Sequence, residues 1–144
     1  MPKELDNLVA ARQLKAEPSS PAEIDVLLKR AAGLLTDAGN PALSPPSRFS
    51  LAYDAAFALS TAALRLAGYR ADAARGHRAL VFQVLPHTLD ALAELWTALS
   101  AMHDRRNAIE YSAALAPTAA EARDLLALAH KLDAIVRVRV AKAK

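Results

Sequence analysis

Apolar residues recur every three or four positions along most of the chain, the period of helices that bury one face. Leu5, Leu8 and Val9 predict a short N-terminal helix within residues 3–16, ending before Pro18. Ser20-Pro21-Ala22-Glu23 then forms a helix start: Ser20 can cap, Pro21 suits the first helical position, and Glu23 completes a capping box. Ile24, Leu27, Leu28, Ala31, Leu34, Leu35 and Ala38 give residues 20–39 one apolar face, which stops at Gly39-Asn40-Pro41. Residues 41–47, rich in proline and serine, read as an ordered crossover. From 47 to 67, Phe49, Ala52, Tyr53, Ala56, Phe57, Ser60, Ala63, Leu64 and Ala67 share a side before Gly68 ends the helix. Residues 69–76 read as a polar connection. A further helical pattern over 76–112 is broken at Pro86, with a new start near Thr88. Pro117-Thr118-Ala119-Ala120-Glu121 is a second capping box, and the helix it opens, 118–141, turns Ala122, Leu125, Leu126, Ala129, Leu132 and Val136 inward.

These elements predict an all-α bundle, and the composition agrees: 53% of the 144 residues are apolar, alanine and leucine dominate, and 5% are aromatic. One domain over residues 1–144 accounts for the length. Without cysteine, disulfides and thiolate metal sites are excluded, which suits a reducing compartment. The charged N-terminus has no signal-peptide core and no apolar run reaches the span of a membrane helix, so a soluble cytoplasmic protein is expected. The net charge of +3, with Arg137, Arg139, Lys142 and Lys144 at the end, permits nucleic-acid contact without requiring it. Scattered histidines (His77, His87, His130) form no metal-ligand pattern.

Candidate chemistry enters where an apolar stripe turns ionisable. At about 100° per residue, Leu92, Leu95, Trp96, Leu99 and Met102 define the stripe; Arg106 falls near its centre, His103 and Glu110 lie beside it, and Asn107 and Tyr111 sit toward one edge. Arg105 points the opposite way, toward solvent. An inward guanidinium needs a carboxylate, carbonyls or an anionic ligand, and Glu110 is one turn away. The same residues can therefore form a structural plug, or a site.

Two blocks carry a resemblance. Ser47-Arg48-Phe49-Ser50-Leu51-Ala52-Tyr53-Asp54-Ala55-Ala56-Phe57, followed by Ala62-Ala63-Leu64, Gly68 and Gly76-His77, is similar to a helix of the HEPN superfamily, small α-helical domains of prokaryotic toxin-antitoxin systems and partners of minimal nucleotidyltransferases. Arg106-Asn107-Ala108-Ile109-Glu110-Tyr111, then Pro117 to Ala122, resembles the family's signature of an arginine, a polar residue and, after a spacer, a histidine. The resemblance covers about residues 45–136. It implies an antiparallel four-helix bundle, here with an extra N-terminal helix, that dimerises with the arginines near the seam. In ribonuclease members, arginine and histidine act on RNA without a metal. Carried over, Arg106 would stabilise phosphate charge and Asn107 would be its polar neighbour, but Tyr111 stands at the histidine position. A phenol with a pKa of about 10 is a poor base at neutral pH.

Three readings follow. The first is a non-catalytic dimeric module, needing no cofactor, that binds RNA, a nucleotide-like anion or a nucleotidyltransferase-type or antitoxin-like partner through Arg106, Asn107, Glu110 and Tyr111. The second is a metal-independent endoribonuclease using Arg106 with His103 or Tyr111. The third is a purely structural dimer in which Arg106 and Glu110 pair.

Overall fold

The computed structural model describes residues 3–72, 77–89, 93–112 and 116–143. They are mostly helical, as the periodicity predicts, with one small antiparallel sheet. In chain order the elements are α1 (Lys3–Ala10), β1 (Leu14–Ala16), α2 (Pro21–Ala38), α3 (Pro45–Leu66), β2 (Tyr69–Ala71), α4 (His77–Gln83), α5 (Leu85–Leu89), α6 (Ala93–Tyr111) and α7 (Ala119–Ala143). Gly76, Leu92, Lys144 and the side chain of His77 lie outside the described residues.

Helix α3 is the axis of the molecule, touched by α2, α7, α4, α5 and α6. Its buried surface runs almost around the helix because Ala52, Ala55, Ala56, Ala58, Ala62 and Ala63 present no bulk to their neighbours. Phe49 and Leu59 interlock there with Ile24, Leu28 and Leu35 of α2 and with Leu125, Leu132 and Val136 of α7. Each fully buried leucine contributes roughly 2 kcal/mol. The helix starts two residues earlier than predicted, since Ser44 caps it by accepting from Ser47 N and Pro45 and Pro46 supply the first turn.

The N-terminal arm departs from expectation. The helix predicted within 3–16 ends at Ala10, where the chain reverses through Arg12 at φ 63°. Leu14–Ala16 then pairs with Tyr69–Ala71, in the stretch read as a polar connection. Gly68, at φ 93°, makes the turn from α3 into β2, a conformation open to glycine. Leu14 and Tyr69 are buried, and the Tyr69 hydroxyl donates to Asp6 Oδ1 at 2.6 Å. That bond to the carboxylate is the main reason the phenol is pushed up to about 12. Further along, the helical break falls at Val84 and Pro86 sits in the first turn of α5, where its missing N–H costs nothing. Thr88, expected to open a helix, is buried within α5.

Arg65 fastens the arm to α3. Its side chain is 3% exposed. The guanidinium donates from Nε and Nη2 to the Glu23 carboxylate, from Nη1 to the carbonyls of Glu17 (2.9 Å) and Tyr69 (3.1 Å), and from Nη2 to that of Pro18 (3.1 Å). Glu23 is thereby drawn away from the capping box, of which only the Ser20 half forms, Ser20 Oγ accepting from Glu23 N at 3.2 Å. The bond from Arg65 holds Glu23 below the usual carboxylate range, and Arg70 does the same for Glu17.

Candidate functional site

Helices α3, α4 and α6 bring an aromatic and basic cluster together. Leu95, Leu99 and His103, one helical turn apart, form the buried line of α6, with His103 7% exposed. The stripe is therefore centred on His103 rather than Arg106, which is half-buried on its flank. Tyr53 of α3 meets this line: its hydroxyl lies 2.9 Å from His103 Nδ1, and its ring stacks on the imidazole with centroids 6.0 Å apart. Phe82 of α4 closes the other side, 5.8 Å from the Tyr53 ring and 5.9 Å from the imidazole. The Arg106 guanidinium rests over the Tyr53 ring at 4.9 Å, and Arg78 of α4 rests over Phe57 at 4.5 Å. Both cations are held by aromatic faces.

Burial is the main influence on the titratable groups here. It pushes the His103 imidazole down, helped by Arg106 and Arg78 and opposed by Asp104. It pushes the Tyr53 phenol up, against the nearby Arg78 and Arg106. Asp54 is also raised by desolvation, while Arg78 and Arg106 pull it back, so those two arginines face one carboxylate. Asn107 Nδ2 donates to His103 Nε2 at 3.2 Å. A neutral ring that accepts at Nε2 carries its proton on Nδ1 and donates it to Tyr53 Oη. Both ring nitrogens are then occupied, which makes His103 a strut between α3 and α6.

The residues singled out in the sequence separate in space. His103, Arg106 and Asn107 come together. Glu110 does not join them: it is exposed, and among the described residues Arg106 has no carboxylate within ion-pair distance. The aromatic face of Tyr53 takes the place expected for Glu110. Tyr111 is 91% exposed at the last turn of α6, away from the buried cluster. Arg105, expected in solvent, is only 27% exposed and grips both oxygens of Glu121, with Nη2 3.4 Å from the Ala116 carbonyl. It closes the end of α6 onto the start of α7. Tyr53 was expected in the core and is there, but its bond to His103 spans two helices and leaves no local trace. Arg78 and Asp54 were missed; a lone aspartate inside the alanine-rich face of α3 was the available signal.

Beside this cluster a groove of ≈ 370 Å³ runs between α2, α3 and α4, lined by Leu27, Arg30, Asp54, Phe57, Ala58 and Arg78 among others. Asp54 connects it to the Tyr53–Arg106 pair. Among the described residues no set of histidine and carboxylate side chains is grouped to hold a metal, and no helix is long and apolar enough to cross a membrane. No family model, curated protein or solved structure matches the chain.

Proposed function

We propose that the chain is a non-catalytic, HEPN-like four-helix bundle, acting as a cytoplasmic homodimer, that binds a phosphate-bearing ligand, RNA or a nucleotide, through Arg106. The observation that carries this reading is a half-buried guanidinium seated on the Tyr53 ring with no carboxylate partner among the described residues. Such a cation is already oriented by its aromatic support, and a phosphate supplies the bidentate partner it lacks. Arg78 lies on the same side of α3 and adds a second positive charge. The non-catalytic part of the reading rests on His103, whose ring nitrogens are engaged by Tyr53 and Asn107, and on Tyr111, which stands apart.

Thermal melting with a short single-stranded RNA or with inorganic phosphate tests the proposal. The wild type is expected to melt higher in the presence of either, and Arg106→Ala to lose that shift while keeping its own melting cooperative. An equal shift in the variant contradicts the assignment, and no shift in the wild type favours the purely structural dimer. A second reading, a metal-independent ribonuclease, draws on the neutral imidazole of His103 one turn from Arg106. RNA is expected to stay intact with the protein in EDTA; cleavage lost in both Arg106→Ala and His103→Gln would establish the nuclease instead.

A further inference from the structure

The groove between α2, α3 and α4 has a composition that phosphate binding alone leaves unexplained. Its floor is apolar, from Leu27, Phe57 and Ala58, and its rim holds Arg30, Arg78 and the Asp54 carboxylate. Arg78 and Arg106, the latter over the adjoining Tyr53 ring, lie close enough to act on the Asp54 carboxylate, and Arg30 lines the same groove. The excess of positive charge suits an anionic ligand, yet an anion by itself gains nothing from Asp54. A ligand that satisfies both carries a phosphate at one end and hydrogen-bond donors at the other, with a flat apolar body between them. The volume of ≈ 370 Å³ falls in the range of small-ligand sites. The planar Arg78 guanidinium, resting over the Phe57 ring at 4.5 Å, offers the kind of plane on which an unpaired base stacks.

We infer that this groove is a nucleobase subsite that selects guanine, with Asp54 as the specificity-determining residue and the phosphate directed to Arg106 and Arg78. The selection follows from hydrogen-bond chemistry. An ionised carboxylate only accepts. On its Watson–Crick edge guanine places two adjacent donors, the N1–H and the N2 amino group, opposite the two oxygens. Adenine and cytosine place a ring-nitrogen acceptor beside their amino donor, and uracil flanks its one N–H with carbonyls. Each therefore sets a lone pair against Asp54. The inference rests on the phosphate reading of Arg106 and adds a base to it.

Titration calorimetry on the full chain with guanosine, inosine and adenosine monophosphates, and separately with inorganic phosphate, tests it. Guanosine monophosphate is expected to bind at least about tenfold more tightly than adenosine monophosphate, the discrimination typical of a bidentate base contact. Inosine monophosphate, which keeps N1–H and lacks the amino group, should fall between them. Asp54→Asn should bring the three affinities together while inorganic phosphate still binds, no more weakly than to the wild type because the charge removed repels the anion; Asp54 is exposed, so the variant is expected to fold, which its melting curve checks. Equal guanosine and adenosine affinities in the wild type, or a preference that survives Asp54→Asn, overturn the inference. If phosphate still binds in an Arg106-dependent way, only the base subsite falls; if the wild type binds neither phosphate nor nucleotide, both proposals fall.

Discussion

Adding a proton to His103 would put a cation in a buried position, beside Arg106 and Arg78. Its pKa in the folded chain lies below the ordinary 6.5, chiefly through desolvation, so between the two values the unfolded chain binds more protons. The resulting stability is complete above the ordinary value and is lost as pH falls through the folded one. Melting temperature is therefore expected to decline as pH falls below the ordinary imidazole value of 6.5, and His103→Gln should flatten that decline. Identical slopes in the two proteins would contradict the argument. Asp54, solvent-accessible as a residue but with its carboxyl raised by partial desolvation, works in the opposite sense at lower pH, because the folded chain holds its proton more tightly. At this scale the sequence was legible in part. Helical geometry put His103, Arg106 and Asn107 on neighbouring positions of one helix. It erred on their partners: Tyr53 arrives from α3, and no local pattern weighs an aromatic face on another helix against a carboxylate one turn away.

Elements whose signals are local were the most legible. At the start of α7, Thr118 Oγ1 accepts from Glu121 N at 3.1 Å and Glu121 Oε1 accepts from Thr118 N at 3.0 Å, the reciprocal capping box read from four residues of sequence. Arg105 and the cap hold the Glu121 carboxyl down at about 2, with the Arg105 bond the larger influence. A depressed carboxylate stabilises the fold above its ordinary pKa and loses that contribution as pH falls toward 2. Thr118→Ala should destabilise the protein by about 1 kcal/mol in denaturant titration. Glu121→Gln should remove part of the stability lost between neutral pH and acid; an unchanged acid profile would mean that the Arg105 link contributes nothing. By contrast, β1 and β2 have three residues each, too few to establish a period of two. Their pairing depends on Gly68 and Arg12 adopting positive φ, and arginine gives no advance sign of doing so.

For the whole molecule, α3 acts as the axis and Arg65 as the fastening of the N-terminal arm. The helical class was legible because alanine-rich amphipathic segments occupy most of the chain. Arg65 was not, since within its helix it is one basic residue near the C-terminal end, while its partners come from residues 17, 18, 23 and 69. Glu17 and Glu23 are 45% and 32% exposed, so solvent screens those pairs and the bonds to main-chain carbonyls carry much of the effect. Arg65→Ala leaves these carbonyls and Glu23 without their donor and is expected to cost roughly 3 kcal/mol. For a chain of this size that lowers Tm by roughly 10 °C. A change of a degree or two would show that the arm docks independently of Arg65.

The salt dependence of binding to a short single-stranded RNA, compared between wild type and Arg106→Ala, tests the central claim most directly. Two arginines engaging phosphate predict a slope of log K against log salt near about −1.4, falling to about −0.7, with weaker binding throughout, when Arg106 is removed. Equal slopes and affinities in the two proteins would contradict the claim that Arg106 is the phosphate-binding residue.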